Sequence, residues 1–236
     1  MIALNNTVSA SITGFENPTL QFRDQALNLN ELFVYSPSSQ RIIHSPSNEL
    51  SLGIAEGDWL LVDSSRQPLL SDVVLMLSHD ESYLVKWENL RNSSTFSASD
   101  FEEIIMVGVV TMSIHHYRHP VLLPEHESMI CLDLHKLLVE QEHSTVICKA
   151  DGESMRPFVH SGDLLLLERH LKPNENDVCI LALNNDIVCK RVHLRSRCLS
   201  SDNPKFYDYQ VSDSDYLRLH GVVRYSLRLH RPICMG

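Results

Sequence analysis

The sequence of 236 residues has no cysteine pair in CxxC spacing, no excess of basic residues and no long apolar run. A helix that spans a membrane needs about 20 consecutive apolar residues, and stretches such as Ile104–Val110 are far shorter. The residues Met1 to Ser11 lack the basic start and apolar core of a secretory signal. We therefore expect a cytoplasmic protein with reduced thiols, no bound metal and no other cofactor.

The charge balance limits the class of partner. The formal net charge is −10, with 43% hydrophobic and 21% charged residues, which is the composition of an ordinary soluble protein. Binding to phosphate backbones needs clustered Lys and Arg. Direct nucleic-acid binding is therefore not expected.

The chain contains one internal repeat. Four pairs of segments match in the same order: Leu27–Val34 with Leu132–Val139, Gly57–Val62 with Gly162–Leu167, Val85–Lys86 with Cys189–Lys190, and Gly108–Val110 with Gly221–Val223. The offsets are 105 for the first two pairs, 104 for the third and 113 for the last. Matches in one order at nearly one offset indicate a tandem duplication, whose copies we call the first half and the second half.

The repeat suggests a division into domains. We expect a flexible N-terminal arm over 1–15, a first domain over 16–114, a linker over 115–120 and a second domain over 121–236. The linker holds a cluster of histidines, which we interpret as solvated because no second set of metal ligands follows. Each domain has short runs of Val, Ile and Leu between turns such as Asn184–Asp186, and one short helical segment. The fold class is therefore mostly β, in two tandem domains.

One group of residues in the second half suggests chemistry. Ser154 follows a glycine in Gly152-Glu153-Ser154-Met155, a Gly-Asp pair follows at 162–163, and Lys190 lies 36 residues after the serine. A serine hydroxyl needs a base to remove its proton. A lysine acts as that base only when it is neutral, and burial among apolar residues lowers its pKa enough. Lys190 lies in the apolar run Ile187–Val192, which fits this requirement.

The same residues resemble the LexA/UmuD family of self-cleaving serine–lysine peptidases, which is related in fold to bacterial signal peptidases. The resemblance is carried by Gly152-Glu153-Ser154-Met155, Gly162-Asp163, Lys190-Arg191, Leu199 to Pro204 and Gly221-Val222-Val223. It is closest to UmuD, because no helix-turn-helix domain precedes the repeat. The resemblance implies that Ser154 is the nucleophile and Lys190 the base. It also implies that backbone N–H groups of Glu153 and Ser154 stabilise the oxyanion.

The first half is expected to be a degenerate site. The repeat offset places Glu49 opposite Ser154, whereas matching to UmuD places Asn48 there, and neither residue is a nucleophile. Lys86 is the expected counterpart of Lys190. If Glu49 is the equivalent residue, it could pair with Lys86 and keep that lysine charged.

The family cleaves its own chain at an Ala-Gly or Cys-Gly bond, and neither dipeptide occurs in this sequence. The candidate bond in the first half is Thr13-Gly14, and its counterpart in the second half is Arg118-His119. One hypothesis is that Ser154 cleaves Thr13-Gly14 across the interface between the halves. The other is that the protein never cleaves itself and begins in a state like the processed form.

The resemblance implies two alternative functions. The first is a UmuD-like DNA-damage protein that is stimulated by the RecA filament and serves a translesion DNA polymerase of the UmuC type. The second is a non-catalytic covalent pseudo-dimer that binds or sequesters UmuD-, LexA- or polymerase-type partners. UmuD-like subunits are further candidate partners in both cases.

Overall fold

A computed structural model of the chain describes residues 4–9, 28–79, 81–92, 104–118, 122 and 128–231. Strands dominate these residues, which confirms the mostly β fold class. Up to residue 118 the elements are β1 (Leu4–Ser9), α1 (Leu29–Phe33), β2 (Gln40–His44), β3 (Trp59–Asp63), β4 (Val73–Ser78), β5 (Glu81–Lys86), α2 (Trp87–Asn92) and β6 (Ile104–His116). From residue 128 they are α3 (Leu134–Leu138), β7 (Thr145–Asp151), β8 (Leu164–Glu168), β9 (Val178–Leu183), β10 (Asp186–His193), β11 (Cys198–Ser200), β12 (Tyr209–Gln210) and β13 (Leu217–Leu229).

The helices α1 and α3 lie in the two predicted helical segments and begin at capping side chains. The Asn28 side chain accepts a hydrogen bond from the N–H of Asn30 at 2.9 Å, and Asp133 accepts one from the N–H of Lys136 at 3.1 Å. Such caps satisfy N–H groups that have no partner inside a helix. The Asn30 side chain also donates to Asp133 Oδ1 at 2.6 Å, so the starts of the two helices contact each other.

Six elements of each half follow the same order, whereas α2 of the first half and β11 and β12 of the second half have no counterpart. The first half therefore has one helix more than the single helix expected for each domain. The elements α1 and β2 to β5 begin 105 residues before α3 and β7 to β10, and β6 begins 113 residues before β13. The strands β9 and β10 form a hairpin in which Asn184 and Asn185 have φ values of 54° and 117°. Asn tolerates this left-handed region better than most residues, which confirms the hairpin predicted there.

One sheet runs through both halves. In the first half its order is β2-β3-β6-β4-β5, and in the second half it is β7-β8-β13-β9-β10-β11-β12. The long strands β6 and β13 pair with each other in antiparallel orientation and join the two sets of strands. A shared core cluster also crosses the junction, since it includes Trp59 and Leu61 together with Leu134, Leu166 and Tyr225.

The ladder between β6 and β13 has a two-fold register. Ile114 pairs with Leu227 at its centre, and these residues are 113 positions apart, as are the starts of the two strands. On one side of this pair Met112 faces Leu229, and on the other side His116 faces Tyr225. The Met112–Leu229 pair is therefore the counterpart of the His116–Tyr225 pair, because Tyr225 lies 113 positions after Met112 and Leu229 lies 113 positions after His116.

Two expected boundaries differ from the structure. Leu4–Ser9, placed in a flexible arm over 1–15, forms β1 and pairs in parallel with β7, because β7 offers a free edge on the side away from β8. His115 and His116, placed in a solvated linker over 115–120, end β6, and the ring of His116 contacts Trp59 and Tyr225. The apolar alternation of β6 continues into the junction, so these histidines are partly buried.

Candidate active site

Ser154 lies in a tight turn directly after β7. The strand ends at Asp151, and Gly152 adopts a φ of 98°, which glycine reaches without steric cost. Ser154 itself has 0% exposure. The neighbouring Glu153 side chain turns outward and binds Arg156 at 2.6 Å. The backbone N–H groups of Glu153 and Ser154, the predicted oxyanion donors, follow the glycine in this turn, and their direction toward a substrate carbonyl stays a prediction.

Lys190 lies within β10 and points into the protein. It pairs with Cys179 of β9, and only 8% of the residue is exposed. Its Nζ donates to Ser201 Oγ at 2.6 Å and lies 5.8 Å from the ring centroid of Phe206. Burial lowers the pKa of Lys190 below its usual 10.5, because desolvation penalises the ammonium form. Burial therefore shifts the protonation equilibrium of Lys190 toward the neutral amine that a general base requires.

The segment Ser201–Asn203 links the lysine to the serine turn. Ser201 accepts the hydrogen bond from Lys190, as described above. Asp202 binds Arg191 in a bidentate pair, with both N–O distances at 2.8 Å. The side chain of Asn203 donates to the Glu153 carbonyl at 2.8 Å, and its backbone N–H donates to the Ser154 carbonyl at 3.0 Å. Ser201 thus contacts Lys190, Asp202 contacts Arg191, and Asn203 contacts the turn of Ser154.

The roles of these three residues were not predicted. The stretch Leu199 to Pro204 carries part of the resemblance, which implies no hydrogen bond for these residues. A Ser-Asp-Asn sequence after a strand is typical of an ordinary turn. The sequence therefore held no signal that its side chains reach back 11 residues to Lys190 and about 50 residues to the serine turn.

Thiols beside the site do not compete with Ser154 as nucleophiles. Burial raises the pKa of Cys148 to about 12 and that of Cys179 to about 12. The pKa of Cys189, next to Lys190, is also raised well above its usual value by burial. A thiol reacts as its thiolate, so these cysteines are inert near neutral pH. Their role is packing inside the second half.

The structure corrects the predicted equivalence of Lys86 and Lys190. In the hairpin of β4 and β5, Lys86 pairs with Val73, and in the hairpin of β9 and β10 it is Arg191 that pairs with Val178. Val178 lies 105 positions after Val73, so Lys86 corresponds to Arg191. The sequence match at offset 104 was wrong by one residue, and a shift of one residue moves a strand side chain to the opposite face. Val85 takes the place of Lys190.

The candidate residues opposite Ser154 form a turn of their own. Glu49 exchanges backbone hydrogen bonds with Ile54, and the Asn48 side chain accepts one from the N–H of Glu56 at 3.0 Å. Among the residues that the structure describes, no ion pair or hydrogen bond joins the Glu49 side chain to Lys86. The first half therefore offers neither a nucleophile nor a lysine base at these positions.

The two candidate cleavage bonds differ in what the structure says of them. Thr13 and Gly14 lie outside the described residues. Arg118 of the other bond binds Asp177 at 2.5 Å, and His119 lies outside the described residues. In the described part of the chain, no cluster of three or more His, Cys, Asp or Glu residues is arranged to bind a metal. No helix there has the length and apolar character to cross a membrane.

The second half of the sequence is similar to known proteins. The sequence model of the family "Peptidase S24-like" matches residues 112–224, which include Ser154, Lys190 and Asn203. Protein MucA of Salmonella typhimurium is 32% identical over 107 residues, which are 44% of this chain and 73% of MucA. Protein ImpA of Shigella flexneri is 35% identical over 79 residues, covering 32% of this chain and 54% of ImpA.

Protein SamA of Salmonella typhimurium is 31% identical over 94 residues, which are 39% of this chain and 65% of SamA. The chain thus covers less than two thirds of ImpA and SamA, and more than two thirds of MucA. A family match over the half that holds the buried lysine, together with this coverage of MucA, shows the relationship. The chain belongs to the Peptidase S24-like family, the LexA/UmuD family of serine peptidases.

Proposed function

We propose that this chain is a UmuD-like mutagenesis protein with a serine–lysine peptidase site in its second half. Ser154 is the nucleophile and Lys190 is its base. The observation that carries the proposal is the segment Ser201–Asn203, which binds both the Lys190 amine and the turn of Ser154. Burial of Lys190 supports it, because desolvation lowers the pKa of the amine in the direction that a general base requires.

The proposed reaction is peptide hydrolysis through an acyl-enzyme. Neutral Lys190 takes the Ser154 proton while Oγ attacks the substrate carbonyl, and the backbone N–H groups of Glu153 and Ser154 stabilise the oxyanion. The C–N bond then breaks, and the Lys190 ammonium returns the proton to the leaving amine. Lys190 next removes a proton from water, which attacks the ester carbonyl. The ester C–O bond breaks, and the Lys190 ammonium returns this proton to Ser154 Oγ as the acid product leaves. Each proton that Lys190 accepts leaves it again within the cycle.

We propose further that the two halves are copies that form a covalent pseudo-dimer. The equal order of their elements and the two-fold register about Ile114 and Leu227 support this arrangement. Symmetric association through the same strand of each subunit is how closed dimers form. In the proposed pseudo-dimer, only the second half retains the catalytic pair, because Glu49 and Val85 occupy the matching positions of the first half.

The proposed substrate of Ser154 is the Thr13-Gly14 bond. The strand β1 pairs in parallel with β7, and its last residue, Ser9, lies opposite Asp151, three positions before the nucleophile. Thr13 follows Ser9 by four residues, a span of at most about 14 Å. The segment that contains the bond is therefore attached within reach of Ser154. Thr replaces the small P1 residue of the family, so slow cleavage is expected.

The wider biology follows from the family. We propose that the protein acts in the cytoplasm as an accessory subunit of a translesion DNA polymerase of the UmuC type, with the RecA filament as stimulator of cleavage. The second candidate is a non-catalytic pseudo-dimer that sequesters UmuD-, LexA- or polymerase-type partners. The absence of Ala-Gly and Cys-Gly bonds in the sequence favours this second candidate.

Intact mass of the purified chain before and after incubation at pH 10 tests the peptidase. We expect loss of an N-terminal fragment that ends at Thr13 in the wild type and no loss in Ser154→Ala or Lys190→Ala. Ser161→Ala is the matched control, because this exposed serine binds Asp151 outside the proposed chemistry and should leave cleavage unchanged. An unchanged mass in the wild type with and without RecA filament would refute self-cleavage and leave the non-catalytic candidate.

A further inference from the structure

The junction between the halves contains two equivalent contacts with different residues. Asp58 and Asp163 are 105 positions apart, and His115 and Arg228 are 113 positions apart, as expected for counterparts in the two halves. Both aspartates are buried, with 3% and 5% exposure, and each binds its partner on the long strand of its own half. The two contacts differ in the residues of the opposite half that His115 and Arg228 touch across the junction.

In the first contact, an imidazole lies flat on an aromatic ring. His115 Nδ1 is 2.8 Å from Asp58 Oδ1. The His115 ring stacks on Phe158 of the second half, with the ring centroids 4.1 Å apart and an angle of 4° between the planes. A phenyl ring at position 158 therefore fills the space beside this histidine.

In the second contact, a guanidinium takes the space that a glycine leaves. Arg228 binds Asp163 with an Nη2–Oδ2 distance of 2.7 Å, and it also donates to the carbonyl oxygen of Leu52 in the first half. Gly53 of the first half is the counterpart of Phe158, and it has no side chain. A Cβ at Gly53 would overlap the Arg228 guanidinium and the Pro157 carbonyl oxygen.

We propose that these contacts allow the junction to form between one first half and one second half, and that they disfavour pairing of two first halves or of two second halves. Two second halves would bring Phe158 against Arg228, where even a Cβ has no room while the arginine stays paired with Asp163. Two first halves would bring His115 against Gly53 and leave a void of about the size of a phenyl ring, and such voids destabilise. Matching large with small residues across an interface in this way excludes the wrong pairing.

These contacts restrict which subunits can replace the first half. A UmuD-like subunit replaces the first half at this surface only if it offers glycine opposite Arg228, and a subunit with an aromatic residue there is excluded. The chain therefore keeps its own first half. This inference rests on the proposed pseudo-dimer and does not depend on peptidase activity, so a failed cleavage experiment leaves it standing.

A double-mutant cycle in the full chain tests the first contact, with Ser154→Ala in every variant so that cleavage plays no part. We expect Phe158→Gly and His115→Arg each to lower Tm. The Tm loss of the double variant should be smaller than the sum of the two single losses. The reason is that the arginine at position 115 then binds Asp58 in the space that the phenyl ring leaves. In the control cycle, Phe158→Leu replaces Phe158→Gly and keeps that space filled, so no recovery is expected. Additive losses in the Phe158→Gly cycle would overturn the proposal.

A pair of glycine variants tests the second contact independently. Gly53 and Gly57 have φ values of 66° and 84°, so alanine is strained at both positions. A Cβ at Gly57 would meet no atom within 4 Å, whereas one at Gly53 overlaps Arg228 and the Pro157 carbonyl oxygen, both in the second half. We expect Gly53→Ala to lower Tm clearly more than Gly57→Ala. Equal losses would show that the space beside Arg228 is not restricted and would overturn the proposed selectivity.

Discussion

Replacement of Lys190 by Met, in a chain that carries Ser154→Ala to prevent cleavage, isolates the energetic cost of the buried amine. Lys190 is 8% exposed, and its pKa lies below 10.5 because folding removes the ammonium from water. Met has a similar length and no charge. It therefore keeps most of the packing in β10 and removes the desolvation penalty.

The direction in which the stability changes with pH follows from the number of protons bound by the folded and the unfolded chain. Between the lowered pKa of folded Lys190 and its unfolded value of about 10.5, the unfolded chain binds more protons, so stability of the lysine protein rises with pH. Each unit by which the pKa is lowered costs the lysine protein about 1.4 kcal/mol at neutral pH. The methionine variant loses the hydrogen bond to Ser201, worth about 1 kcal/mol. Its Tm relative to the lysine protein should be highest at pH 7 and fall toward pH 10.

Thermal unfolding at pH 7, 8, 9 and 10 measures this difference. At about 2–4 °C per kcal/mol for a chain of this size, one unit of pKa corresponds to a Tm difference of roughly 3–6 °C at pH 7, of which about half is lost by pH 10. Lys86→Met is the matched control, because this lysine occupies the strand position of the partly exposed Arg191. A Tm difference between the Lys190→Met variant and its parent that stays constant with pH would refute the buried-amine argument.

Two further predictions concern the turn at the site and the packing of the long strands. Asn203→Ala removes the donor to the Glu153 carbonyl, so we expect a loss of about 1–3 kcal/mol in stability and at least a roughly tenfold slower self-cleavage, measured by Tm and by intact mass over time. Gly108→Ala should lower Tm more than Gly221→Ala, because a Cβ at 108 would lie 2.6 Å from the Asp63 carbonyl oxygen, whereas at 221 the nearest atom ends a flexible leucine side chain. An unchanged cleavage rate, or equal Tm losses, would contradict the respective prediction.

The sequence was sufficient for features that depend on local pattern. Short runs of Val, Ile and Leu between turn residues predicted the strands, and the turn at Asn184–Asp186 was located because Asn tolerates positive φ. The burial of Lys190 could be predicted because its neighbours in Ile187–Val192 are apolar. Short motifs between Gly152 and Val223 were sufficient for the family, since each motif is a local run of residues.

The tertiary structure decided what depends on contacts between distant residues. Strand register decides whether Lys86 matches Lys190 or Arg191. The pairing within each hairpin fixes that register, whereas the sequence alone leaves it ambiguous by one residue. Ser201–Asn203 acquired its role because the fold brings a surface turn against the serine loop.

The pairing of β6 with β13 likewise joins strands more than 100 residues apart. The sequence by itself therefore determined the mostly β fold class and the family, whereas the repeat and the catalytic pair stay predictions. Only the folded chain determined how the halves meet, because pairing across an interface depends on shape and register, which no local pattern of residues records.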